Sequence, residues 1–360
     1  MSGPVAAGLL ALGLATVVIA ATLRPLGWDV TALPQVGTHT KLGVIAKRID
    51  HGFRTADYGG YDGQFNWAIA LDPLALGHEH NATDRPEYRY GRPLLGWLGW
   101  VASGGSARSA AAALLAVGLA SLAAAAAMSA LLARRLQMSL AASVAVCCNP
   151  GLLFASAHSL SEPLAVALLL GALWAFAARR RSLALALLVF LPLAREQLVL
   201  ASLAIALVAF FRWPAGRREA LLVLGTILPS VVWWIYLRIH LDGWLTTGSS
   251  ALGTPLAGWR RAILDAGVGS AATDPQALVV YVALLGVLAA VGVVALLRRN
   301  VFAVIFVLLG ALVLCLAPNA TVRLQDALRN TSILLALAPF VFSRRDIEEA
   351  FARPVDRPGQ

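Results

Sequence analysis

Apolar runs of about 15 to 27 residues recur almost to the end of the chain, and short arginine clusters separate them. Runs of that length satisfy their backbone polar groups in lipid only as helices. Hydrophobic residues fill 59% of the 360 positions and charged residues only 13%, where a soluble domain carries roughly a quarter charged. That balance excludes a water-soluble enzyme and a disordered chain. The expected fold class is all-α, a polytopic integral membrane protein.

The basic clusters set the orientation. They are Arg134-Arg135, Arg179-Arg180-Arg181, Arg212 with Arg217-Arg218, Arg298-Arg299 and Arg344-Arg345. If all face the cytoplasm, the segments between them cross in pairs as hairpins with outward tips. The spans then read 5–23, 107–133, 139–157, 163–178, 182–194, 197–211, 219–239, 278–297, 301–317 and 329–343. About ten transmembrane helices place both termini in the cytoplasm. The first run lacks a basic start and an A-x-A site, so it reads as a retained helix rather than a signal peptide. Residues 1–345 form a single transmembrane domain with a long outer loop over 24–106, and 346–360 form a cytoplasmic tail. The net charge of +10 belongs to this pattern, and no nucleic-acid partner is expected.

Two stretches constrain the outer side further. A single helix over 182–211 would hold Arg195 and Glu196 at mid-bilayer, where each charge costs about 2.5 to 3.5 kcal/mol. Two short spans meeting in a protein-lined cavity are expected instead. The run 92–101 is too short to cross, and its Trp97 and Trp100 suit an interfacial helix. Eight of the 19 acidic residues lie between 24 and 91, and all six histidines fall on outward segments. Chemistry therefore faces outward. Cys147, Cys148 and Cys315 lie in apolar runs and form no disulfide framework or metal spacing.

The densest motif is Asp57-Tyr-Gly-Gly-Tyr-Asp62-Gly-Gln-Phe-Asn-Trp-Ala-Ile-Ala-Leu-Asp72-Pro73. The glycines allow a turn, and Phe65, Ala68, Ile69 and Leu71 share one face of a following interfacial helix that Pro73 ends. Asp62, at the turn, suits either a helix cap or a catalytic carboxylate. His78-Glu79-His80, with His39 or His51, offers imidazole and carboxylate ligands. It lacks an i,i+4 histidine pair and reads as solvated loop, so no residue is assigned to a metal.

Tyr61-Asp62, six residues and then Ile69-Ala70 resemble the Trp-Asp-x6-Ile-Ala signature of the PIG-V mannosyltransferases, members of the GT-C superfamily of membrane glycosyltransferases. Arg89-Tyr-Gly-Arg92-Pro-Leu-Leu95 and Ser161-Glu162 resemble further segments of such proteins. Asp62-Gly-Gln-Phe with Arg-Tyr-x-Arg-Pro-Leu-Leu is also similar to a bacterial group associated with cell-surface glycopolymer formation. Tyr61 stands where the signature has Trp, so the sugar and acceptor do not carry over.

The resemblance implies transfer of a sugar from a polyprenyl-phosphate donor to a lipid or glycan acceptor, with inversion, in a membrane-facing site under the first outer loop. It implies an acidic first-loop residue as base, Asp62 with Asp57 in reserve, and no required cofactor; a divalent metal stays open. A departing lipid phosphate calls for arginine, whose planar fork binds phosphate oxygens in pairs. Candidates are Arg89, Arg92, Arg195, Arg323 and Arg329. Glu162, Glu196, Gln64, Tyr61 and His158 complete the expected substrate-binding set. Local readings compete with several of these: Arg195 with Glu196 as a self-neutralising pair, Arg329 with Asp326 at helical spacing, and Glu162 as the cap of a helix opening at Pro163. A nucleotide-sugar donor is not expected, because no Gly-rich phosphate loop lies on the cytoplasmic side. The rival class is a transporter or flippase for a glycolipid or small solute, which also uses broken helices and intramembrane charge. A surface-polysaccharide ligase or polymerase would share the donor.

Overall fold

The computed structural model describes residues 3–57, 59–213, 216–244, 251–267, 274–298, 300–345 and 347. Of the expected tail, 346–360, all but residue 347 lies outside the described residues. The described chain is helical, with two isolated β-bridges and no strand. Its helices are α1 Gly3–Leu23, α2 Lys41–Ile49, α3 Gly63–Leu71, α4 Pro86–Arg89, α5 Leu94–Ala102, α6 Ala110–Arg135, α7 Ala141–Cys147, α8 Pro150–Ala157, α9 Glu162–Ala177, α10 Arg181–Ala194, α11 Val199–Arg212, α12 Gly216–Gly225, α13 Leu228–Leu241, α14 Ala257–Gly267, α15 Pro275–Leu297, α16 Val301–Leu314 and α17 Leu324–Val341.

Four stretches are long and apolar enough to cross a membrane: Gly3–Leu26, Ala110–Arg135, Gly216–Leu241 and Pro275–Leu297. Shorter apolar helices cover Ala141–Ala157, Glu162–Ala177, Arg181–Ala194 and Val301–Leu314. The alanine-rich α6 lies at the centre, against α1, α5, α7, α8 and α9. Its buried face carries Gly118, Ser121, Ala125, Ala126, Ser129 and Ala130. Side chains this small let helix backbones approach closely where apolar burial supplies no driving force.

Local chemistry explains each interruption. Between α7 and α8 the Asn149 side chain accepts from the Gly151 and Leu152 amides, with Pro150 opening the next helix. Asn149 Nδ2 also donates to the Ser332 carbonyl at 2.8 Å, tying that break to α17. The expected interruption of 182–211 is present: α10 ends at Ala194, two residues past its internal Pro192, and Arg195 is extended before α11 begins. Between α12 and α13 the helix breaks at Thr226 and Ile227, just before Pro229.

Two short helices of the first loop differ in setting. α5, expected as an interfacial helix, has Trp100 and Val101 exposed and Trp97 donating to the Pro73 carbonyl at 2.7 Å. By contrast α3, expected at an interface, is buried on nearly every side. Glycines in α5 make this possible, since a Cβ at Gly96 would lie 2.4 Å from Ile69. α13 then pins the loop. Trp233 and Trp234 donate to the Tyr90 and Gly91 carbonyls at 2.8 and 2.9 Å, and Tyr236 to that of Leu74 at 2.7 Å.

Gly63 fixes the loop against the turn between α8 and α9. A Cβ there would sit 2.2 Å from the His158 carbonyl oxygen and 2.9 Å from that of Pro34. Backbone atoms cannot rotate away, so Gly63→Ala should cost about 1 to 3 kcal/mol. Thermal unfolding of the purified variant should show a lowered midpoint; an unchanged midpoint would mean that this approach is looser than described.

Candidate functional site

Asp62 occupies the N-terminal boundary of α3, yet its carboxylate does not cap that helix. Its oxygens face arginines from three other segments. Arg89, at the end of α4, donates to Oδ1 at 3.0 Å. Arg329, in the second turn of α17, donates to Oδ2 at 2.7 Å, and Arg92, before α5, lies 3.9 Å from the same oxygen. Burial alone would raise the Asp62 carboxyl, but Arg329, Arg89 and Arg92 outweigh it and hold it well below the usual carboxylate range.

A second acid organises the layer beneath. Glu162, 1% exposed at the start of α9, accepts from Arg195 and lies 3.1 Å from Arg329 Nε through the same oxygen. Arg195, extended between α10 and α11, also lies 3.4 Å from Asn330 Oδ1. Glu196 faces away from its neighbour and lies 3.6 Å from Arg92. Thus Glu162 caps no backbone, and Arg195 and Glu196 do not neutralise each other. A space of about 10 Å³, enough for one water, lies among Asp62, Arg92, Glu162, Arg195 and Arg329.

A cavity of about 520 Å³ opens over this cluster, lined by Tyr61, Asp62, Arg89, Arg323, Asp326 and Arg329 among others. Arg323 is exposed at the N-terminal boundary of α17, with no ion pair among the described residues. Tyr61 donates to Asp326, and its ring lies 5.3 Å from the Arg329 guanidinium. Burial raises the Tyr61 phenol far above its ordinary value, so it stays protonated.

Other expected residues take different places. Asp57 is exposed and does not line the cavity. Gln64 lines it, but its amide accepts from the Gly37 N–H at 3.3 Å and donates to the Gly59 carbonyl at 3.2 Å. His158 is buried behind Tyr61, stacked on Phe154 at 3.9 Å. In the His78-Glu79-His80 run, His80 Nδ1 pairs with buried Asp72 at 3.0 Å.

Several residues of the site lie outside the expected set. Asp326 reaches Tyr61 across 265 positions instead of pairing with Arg329. Asp84 holds Arg89 through two contacts of 3.0 Å. Phe65, expected on an apolar helix face, lies 3.8 Å under the Arg89 guanidinium. Tyr88 has arginines 85, 89 and 92 within 5.0 to 5.8 Å of its ring. Its signal was available: an aromatic flanked by arginines at −3, +1 and +4 can collect them on one face.

Chemically, the arrangement presents Arg89 and Arg329, each oriented by a carboxylate and an aromatic ring, together with the exposed Arg323, to one polar cavity. Such a site suits an oxyanion such as phosphate. No family model matches the chain, and neither a curated protein nor a solved structure matches it.

Proposed function

We propose that this chain is a membrane glycosyltransferase of the GT-C type, moving a sugar from a polyprenyl-phosphate donor to an extracytoplasmic lipid or glycan hydroxyl. The observation that carries the reading is the convergence of Arg89, Arg92 and Arg329 on Asp62 under a cavity that also holds the exposed Arg323. Its volume of about 520 Å³ falls within the usual range for a ligand site. In this reading the guanidinium groups hold the donor phosphate and stabilise the charge that gathers on it as the glycosidic bond breaks.

A second cavity fits the lipid part of the donor. It measures about 510 Å³, is lined entirely by apolar residues and glycine, and lies among α15, α16 and α17, with Leu256 also lining it. Segment 251–256 joins the two spaces: Ala251 lines the polar one and Leu256 the apolar one. The Gly253 and Leu256 amides donate to the Cys315 and Leu314 carbonyls at 2.8 and 2.7 Å, fixing that segment on the end of α16. The proposed topology has ten spans with both termini cytoplasmic: the four long stretches and the four shorter apolar helices, with α11 and α17 as the remaining two. The polar cavity then opens outward.

The test is transfer from radiolabelled polyprenyl-phosphate sugars to lipid and glycan acceptors in proteoliposomes. Label should appear in acceptor with wild type. Arg323→Gln, which removes an exposed guanidinium and no internal pair, should raise the donor KM about tenfold with no change in thermal unfolding. Translocation or binding of donor without transfer would replace this reading with transport.

A further inference from the structure

We propose that Asp326, rather than Asp62, accepts the proton of the attacking hydroxyl, with Tyr61 holding its carboxylate in position; this rests on the glycosyltransferase reading. Both acids line the same cavity, but their surroundings differ. Asp62 has a guanidinium on each oxygen and a third within 4 Å. A carboxylate so paired stays ionised and is a weak base, suited to aligning arginines. Asp326 has no ion pair among the described residues, and the bond from Tyr61 falls on Oδ1 alone.

The groups facing Asp326 come from three segments: Tyr61 and Asp62 from the first loop, Tyr281 from α15, and Arg323 and Arg329 from the start of its own helix. Burial raises its carboxyl above the ordinary value and Asp62 adds to this; the Tyr61 hydrogen bond, Arg329 and Arg323 oppose it without cancelling it. Environments that separate two neighbouring acids assign them different tasks, and a proton acceptor works best with affinity near the working pH.

The step balances as a direct displacement. The acceptor O–H bond breaks and its proton passes to the Asp326 carboxylate. The freed electron pair forms the bond from oxygen to the anomeric carbon. The bond from that carbon to the phosphate oxygen breaks, and its pair stays on the lipid phosphate facing the arginines. Asp326 then returns the proton to water in the cavity.

The competing role for Asp326 is a structural tie between the first loop and α17, and Asp326→Asn separates the two. The amide oxygen still accepts from Tyr61, so a tie survives while proton acceptance is lost. In the proteoliposome assay Asp326→Asn should lower kcat about 10²- to 10⁴-fold, with donor KM within about twofold because the arginines that bind phosphate are untouched. Wild-type kcat/KM should fall on acidification as Asp326 takes up a proton, and the residual activity of Asp326→Asn should lack that limb. Tyr61→Phe removes a bond that lowers the Asp326 carboxyl, so its limb should move to higher pH. Asp62→Asn should lower turnover and keep the limb. Full turnover in Asp326→Asn, or a limb lost in Asp62→Asn and kept in Asp326→Asn, overturns the assignment while leaving the glycosyltransferase reading intact. Absence of transfer from wild type overturns that reading and the assignment together.

Discussion

Replacing Arg329 with methionine should reduce sugar transfer about 10³-fold, a loss of the same order as that expected for Asp326→Asn. Arg329 is the group that joins the two acidic centres: one nitrogen lies 2.7 Å from Asp62 and another 3.1 Å from Glu162. It also lines the cavity beside Tyr61 and Asp326. Methionine fills a similar volume and leaves each acid another arginine, Arg89 for Asp62 and Arg195 for Glu162. The cost in stability should therefore fall near the lower end of the 3 to 5 kcal/mol typical of a broken buried pair, about 3 kcal/mol. Arg329→Lys keeps the charge but not the fork, so it cannot reach both carboxylates and a phosphate oxygen at once. It should retain most of the stability and still lose about 10- to 100-fold in transfer, one charge-assisted hydrogen bond being worth about 1.5 to 3 kcal/mol. Initial rates and thermal unfolding on the same preparations check both. Arg329→Met with wild-type turnover would show that phosphate is held elsewhere.

The helical architecture was legible because its signals are local. Apolar length, arginine clusters and the proline and asparagine breaks act within a few residues, and the interruption at Arg195 follows from the cost of burying charge in lipid. The site was legible as a set of residues and not as a set of pairs. Asp62, Arg89, Arg92, Glu162, Arg195 and Arg329 stand out as polar residues at or beside turns expected to face outward. Their partners did not stand out, since near neighbours offered plausible ones: Glu196 for Arg195, Asp326 for Arg329, the α9 backbone for Glu162. In the folded chain each local option is set aside. Glu162 and Arg195 meet across 33 positions, and Asp62 and Arg329 across 267. The physical reason is burial. An i,i+3 pair on a helix surface gains a few tenths of a kcal/mol, whereas a charge packed inside must find its counterion or remain unpaired at several kcal/mol. Packing decides which carboxylate is inside with which guanidinium, and no short-range pattern encodes that. α3 misled for a related reason. It was expected as an interfacial helix with one apolar face, but its polar Gln64 and Asn66 are buried too and bonded to backbone, Asn66 Nδ2 to the Ser159 carbonyl at 2.8 Å.

Glu162→Leu should be the most destabilising of the charge removals, about 3 to 5 kcal/mol. Among the described residues Glu162 is the one carboxylate paired with Arg195, itself 4% exposed. Removing the acid leaves that guanidinium with only the long contact to Asn330 at 3.4 Å. Replacing both partners, Glu162→Leu with Arg195→Met, removes the unpaired charge as well as its counterion. A buried ion pair exchanged for apolar groups of similar volume is often neutral or stabilising, so the double variant should recover most of the lost stability. The coupling in this double-mutant cycle should then reach about 2 to 3 kcal/mol, the upper part of the range for contacting residues. Transfer should not recover with it. In the double variant Arg329 still pairs with Asp62 but has lost the carboxylate that fixes its Nε, and a misdirected fork forfeits the alignment on which phosphate stabilisation depends. Unfolding midpoints and transfer rates on the four proteins of the cycle decide the matter. Additive losses in stability would mean that the two side chains do not depend on each other. Recovery of stability and turnover together would make Glu162 and Arg195 a packing element with no part in aiming Arg329. Recovered stability without turnover is the outcome that follows if the buried pair is there to orient the arginine above it.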